Sequence, residues 1–136
     1  MFDWSDSGFS LNLSVMDETH KEFIDLYNKV IIADDNDFTV LFEQLVTHTI
    51  NHFDNENTLM KESGFPALSE HINEHQRVIN ELKYFQAKVQ ENKFSFPRFY
   101  LKDRVPSWFK LHLVTMDSAL AAHLKETIIP SAQEIS

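Results

Sequence analysis

His71-Ile72-Asn73-Glu74-His75 places two imidazoles four residues apart, inside a stretch whose apolar residues, Ile72, Val78, Ile79, Leu82, Phe85 and Val89, recur at helical spacing. Residues four apart lie about 40° apart on one helix face and about 6 Å apart along the axis, so both rings can aim at one point. His52-Phe53-Asp54-Asn55-Glu56 repeats the geometry with an imidazole and a carboxylate. Outward from these two, His20 sits in an earlier amphipathic stretch, and His112 with Asp117 in a later one. Taken singly each has an ordinary explanation: a lone histidine is more often a boundary residue than a ligand, and HxxxH arises by chance on surface helices. Four stretches each supplying one group to an inward face is a different matter. Five imidazoles and two carboxylates are too many for one first-row ion. They suit two ions sharing bridging carboxylates, with iron, manganese or zinc as the metals such donors favour.

The remaining sequence frames those groups as helices. Two glycines and four prolines in 136 residues argue against a β-rich fold, which needs many tight turns. A first helix is expected over residues 17–33, where Phe23, Ile24, Tyr27, Val30 and Ile31 follow i, i+3, i+4, i+7 spacing. Asp37 is the expected N-cap of a second helix that continues to Ser63 and stops at Gly64. A third is expected over residues 67–91, and a fourth from about residue 95 to 126, bent where Pro106 removes a backbone donor. Residues 1–13 read as an irregular arm whose Phe2, Trp4, Phe9, Leu11 and Leu13 lie across an apolar flank. The expectation is therefore all-α: a single domain, residues 1–136, forming an antiparallel up-down-up-down four-helix bundle with an irregular N-terminal arm. Within the fourth helix, His112 and Asp117 are five apart and diverge by about 140° on a regular α-helix. The reading favoured is that the two straddle the helix, with a π-turn between them as the other solution.

Composition removes several classes of function. Twelve basic against 21 acidic residues give a formal charge of −9, which repels nucleic acid and anionic membrane. With no cysteine there is no thiolate metal site, so zinc-finger and iron–sulfur chemistry are excluded, and a reducing compartment is favoured. MFDWSDSGF lacks the basic and apolar regions of a signal peptide, and nowhere do 18 apolar residues run together. The chain is read as a cytoplasmic monomer with no nucleic-acid or membrane partner. His48, one turn before His52, and His123, about three turns beyond His112, are read as non-ligands, with His48 beside the site.

The pattern as a whole resembles the hemerythrin family, single-domain bacterial members above all. The likeness rests on His20, on His-Phe-Asp-Asn-Glu from His52 to Glu56, on His-Ile-Asn-Glu-His from His71 to His75, and on His-Leu-Val-Thr-Met-Asp from His112 to Asp117. The approach Met-Asp-Glu-Thr-His to His20, the turn Met-Lys-Glu-Ser-Gly-Phe-Pro from Met60 to Pro66, the aromatic arm around Trp4, and Trp108 four residues before His112 extend it over nearly the whole chain. The resemblance implies a non-haem di-iron cofactor. On that analogy His71, His75 and His112 hold one iron, His20 and His52 the other, and Glu56, Asp117 and an oxo or hydroxo group bridge the pair. It further implies reversible O2 binding, with O2 held as hydroperoxide on the two-histidine iron and Trp108, Phe109 and Leu113 lining the oxygen pocket.

The residues themselves favour binding over catalysis. Ferritin-like di-iron oxidases use carboxylate-rich sets built on Glu-x-x-His, and this chain has no Glu-x-x-His. Five neutral imidazoles leave less negative charge on the metals and disfavour high-valent iron. The reading is thus an oxygen carrier or store and not an enzyme. The alternatives are a di-iron enzyme acting on peroxide or nitric oxide, or an oxygen or iron sensor acting through a separate partner.

Overall fold

The computed structural model describes residues 10, 11 and 13–127, so Phe2, Trp4 and Phe9 of the arm lie outside the described residues. Helix α1, Ser14–Ile32, begins where Asp17 reaches back to accept hydrogen bonds from Ser10 Oγ and the backbone N–H groups of Leu11 and Leu13. Only Ala33 and Asp34 separate α1 from α2, Asp35–Ser63. The N-cap of α2 is Asp34 and not the expected Asp37. Asp34 adopts the extended conformation a cap requires, and its side chain accepts the Asp37 N–H at 3.1 Å. Gly64 ends α2 in the left-handed region, φ 67°, as a glycine permits. Helix α3, Leu68–Gln90, follows.

The last rod is built of α4 (Ser95–Phe99), a π-turn (Tyr100–Arg104), α5 (Val105–His112), a second π-turn (Leu113–Asp117) and α6 (Ser118–Thr127). Residues at the junctions keep helical φ and ψ, so the segments run on without a break. The short links make neighbouring helices antiparallel, and the whole is a four-helix bundle. None of the described helices is long and apolar enough to cross a membrane.

The first π-turn is where Pro106 acts. The Val105 N–H is committed to Tyr100 O, five residues back. Leu101 O would then turn to residue 106, which as proline has no N–H. Tyr27 of α1 supplies the missing donor, its hydroxyl bonding Leu101 O at 2.6 Å in the core. Burial, with Asp103 nearby, pushes the Tyr27 phenol up to about 12, so it remains a donor at every working pH. Tyr27→Phe is expected to leave that carbonyl unsatisfied and to destabilise the protein by ~1–3 kcal/mol with the fold intact, as read by urea unfolding.

Two apolar clusters result. The larger, including Phe38, Phe42, Leu45, Val89 and Leu101, fills the bundle toward the α1–α2 turn. The smaller gathers Leu13, Met16, Met60, Phe65, Leu120 and Leu124 at the opposite end. Between them lies a layer of buried polar side chains.

Candidate metal centre

Those side chains are His20 from α1, His52 and Glu56 from α2, His71 and His75 from α3, and His112 and Asp117 from the last rod, none more than 8% exposed. All seven residues singled out in the sequence converge. Each histidine presents Nε2 to at least one of the two carboxylates, His20 and His71 to both. Glu56 Oε2 lies 2.6 Å from His52 and 3.7 Å from His20, while its Oε1 lies 3.1 Å from His75 and 3.4 Å from His71. Asp117 divides the same way, Oδ2 standing 3.1 Å from His20 and Oδ1 3.2 Å from both His71 and His112. The donors thus fall into a two-histidine half and a three-histidine half, with both carboxylates offering one oxygen to each.

The second π-turn makes this possible. Ser118 donates to Leu113 O, five residues back, and the wider turn draws Asp117 round toward the face of His112. The straddled helix expected from the spacing is therefore corrected. A regular α-helix would have carried one of the two side chains away from the cluster.

Despite these short separations, Nε2 of His20, His71, His75 and His112, Glu56 Oε1 and Asp117 Oδ1 are buried with no well-directed hydrogen bond. Orphaned polar atoms cost about 1–3 kcal/mol each, more when charged, and six facing one volume call for a common partner. Bound metal would be such a partner for imidazole nitrogens and carboxylate oxygens alike. His75 is set for this from behind, since its Nδ1 donates to Asn57 Oδ1 at 2.9 Å and leaves Nε2 as the free lone pair. Phe53 lies flat on the other side of His75, ring centroids 3.9 Å apart.

Aromatic walls close one side. A cavity of about 10 Å³ adjoins His20, His52, His112 and Asp117 and is walled by Phe23, Thr49, Phe53, Trp108 and Phe109. Trp108 stacks on His112 and donates its indole N–H to Glu74 Oε2. Leu113, expected in this wall, is buried in the larger apolar cluster and is not among the cavity's lining residues. Phe23, Thr49 and Phe53 take the remaining places. Phe23 and Thr49 sit three residues from His20 and His52, on the same helix faces, a signal the sequence did contain. Thr49 Oγ1 is committed to Leu45 O at 2.8 Å, so it brings no free proton to the cavity. His48 and His123 stay outside the cluster: the first packs edge-on against His52, and the second bonds Ser63 O at the end of α2.

The profile of the hemerythrin HHE cation binding domain matches residues 11–126. The chain belongs to the hemerythrin family. Relatives agree: bacteriohemerythrin of Aquifex aeolicus is 31% identical over 115 residues, covering 80% of this chain and 87% of that one. The bacteriohemerythrin of Ralstonia nicotianae is 29% identical over 123 residues, covering 90% and 88%. In fold, this hemerythrin chain matches a crystal structure of wild-type hemerythrin with a TM-score of 0.83 over 91% of its length and 98% of the other's, at 20% identity.

Without metal, the hemerythrin cluster holds protons. Burial opposes charge on His20 and His71 alike, but Asp117 and Glu56 outweigh it and lift each from 6.5 to about 9. Burial would raise Glu56, yet the imidazoles of His52, His20 and His71 hold it well below the usual carboxylate range. Burial and the neighbouring Glu56 would raise Asp117 too, and the close imidazoles of His112, His20 and His71 prevail to lower it. His75 goes the other way, lowered by burial and by the charge of His71 and His112 against the pull of Glu56. A histidine raised in the fold contributes stability that is complete below 6.5 and is lost as pH climbs through about 9. His75, already neutral in both states above 6.5, does not oppose this. The thermal midpoint of the metal-free protein is therefore expected to fall between pH 6.5 and 9, while the metal-loaded protein stays flat. Loading at pH 7.5 is expected to release roughly two protons per chain, measured by titration calorimetry in buffers of different ionisation enthalpy. A flat metal-free profile would contradict the assignment of those protons.

Proposed function

We propose that this protein binds O2 reversibly at a non-haem di-iron centre held by His20, His52, Glu56, His71, His75, His112 and Asp117, as an oxygen carrier or store in the cytoplasm. The observation that carries the reading is the division of the donors: three histidines on one side, two on the other, and two carboxylates each turned toward both halves. His71, His75 and His112 would hold one iron, His20 and His52 the second, with Glu56 and Asp117 shared. Held there, a ferrous pair would supply the two electrons that O2 accepts on binding and gives back on release. Fewer protein ligands on the His20/His52 side leave room there for a small molecule, and the 10 Å³ cavity adjoins that side at about the size of one water-sized guest.

The chain's own residues do the rest. Phe23, Phe53, Trp108 and Phe109 exclude water and offer no acid to protonate what binds, which favours release over further reduction. Asn57 fixes the His75 ring, and Glu74 fixes the Trp108 indole against His112.

One feature supports turnover as a second reading. A cleft of about 330 Å³ between α1 and α2, lined by Thr19, Asn55 and Thr58 beside Val15, Met16 and Leu59, reaches His52 and Glu56 and opens the two-histidine half toward solvent. An enzyme reducing peroxide or nitric oxide needs such an opening for protons. Anaerobic reduction, admission of air and then argon sparging separate the two. A carrier returns to the spectrum of its reduced form through repeated cycles. Steady consumption of reductant with peroxide or nitric oxide, and no return under argon, would reject the carrier.

A further inference from the structure

On the face where α3 passes the start of the last rod, Tyr84, Phe96 and Phe99 stand 60%, 74% and 55% exposed. Three large aromatic side chains gathered at one surface are unusual in a chain of 136 residues with a net charge of −9. They border a groove of about 610 Å³ that is also lined by the stacked pair Phe85 and Tyr100, centroids 4.4 Å apart. The groove's polar end carries Arg77 and Arg104, with Glu81 between them taking hydrogen bonds from Arg77 and from the Tyr100 hydroxyl. Arg77 is also held by Glu74, so two carboxylates meet its one charge, whereas Arg104, exposed like Arg77, makes no ion pair among the described residues.

Size, wall and charge agree on one occupant. Small-molecule sites are concave, of about 300–1,000 Å³, mostly apolar, with a few polar groups that fix orientation. Aromatic walls select a flat ring system, which they hold by stacking. Arg104, the groove guanidinium that makes no ion pair, selects an anionic group, since a guanidinium pairs with carboxylate, sulfonate or phosphate in a planar fork. We propose that this groove is a binding site for a planar aromatic anion, its ring system lying between Phe96 and Phe99 on one side and Tyr84 on the other, its acidic group on Arg104. The site is separate from the histidine–carboxylate cluster and does not depend on it.

The test uses the whole chain, metal-free and metal-loaded, titrated by calorimetry with 2-naphthoate and with its neutral isostere 2-naphthamide. One molecule of naphthoate per chain is expected in both metal states, with naphthamide about fivefold to tenfold weaker. Arg104→Gln should weaken naphthoate to the level of the amide and leave the amide unchanged. The doubly substituted F96S/F99S chain should bind neither, while its helical content and metal content stay as in the parent, because both positions are on the surface. Equal binding of naphthoate and naphthamide, unaltered binding by either variant, or no binding at millimolar concentration would overturn the proposal. So would sedimentation showing that the parent is a dimer and F96S/F99S a monomer, since the aromatic face would then be a contact between copies.

Discussion

Glu56→Ala is expected to empty the centre, taking metal content from about two ions per chain to near none after iron loading, while His20→Ala keeps about one. The difference follows from where the two side chains point. Glu56 Oε2 faces His52 and His20 while Oε1 faces His75 and His71, so both halves lose an anionic donor together. His20 serves the two-histidine half, and its loss leaves His71, His75 and His112 in place. Neither residue belongs to the two apolar clusters, so circular dichroism should report an unchanged helical fold. Iron analysis of the two variants beside the parent decides the matter. Two retained ions in Glu56→Ala would remove it as a shared ligand, and two retained ions in His20→Ala would remove His20 from the set.

Phe53→Ala carries the second large effect, because one ring serves both the core and the site. Phe53 is buried, lies flat against His75, and meets Trp108 edge-on with centroids 6.2 Å apart. Truncating a buried phenylalanine costs about 3–5 kcal/mol through lost transfer energy and the cavity left behind. For a chain of this length that lowers the thermal midpoint by roughly 10–15 °C. It also opens the wall of the small cavity to water. The expected outcome is a metal-loaded variant that folds and keeps its iron but loses the reversible oxygen cycle to rapid oxidation. Thermal midpoints measured with and without metal separate the two contributions. A midpoint within 2–3 °C of the parent, or an unaltered oxygen cycle, would contradict the double role.

Much of this is legible in the sequence, and what is not depends on backbone conformation or on contacts between helices. Periodicity located the helices because Phe23, Ile24, Tyr27 and Val30 on α1, and Val78, Leu82 and Val89 on α3, do face the core. The start of α2 was misplaced because Asp34, Asp35 and Asp37 are equally good capping residues by type, and only the backbone conformation at Asp34 chooses among them. The second π-turn left one trace in the sequence, the awkward five-residue interval from His112 to Asp117. That interval stated the problem without choosing its solution. The first π-turn left only Pro106, whose consequence depended on Tyr27, 79 residues earlier, supplying a hydroxyl to Leu101 O. The seven residues of the polar cluster are readable because each helix carries its own group, whereas Asn57 behind His75 and Glu74 beside Trp108 act between helices. The aromatic groove arises only where α3 packs beside α4, so no single stretch announces it.

The most direct test of the central claim is an anomalous difference map at the iron absorption edge from crystals of the iron-loaded protein. Two peaks are expected in the polar layer. One should lie against Nε2 of His20 and His52, the other against Nε2 of His71, His75 and His112, with Glu56 and Asp117 each contributing an oxygen to both. A single peak, or two peaks of which one lies beyond reach of His20 and His52, would contradict the di-iron assignment.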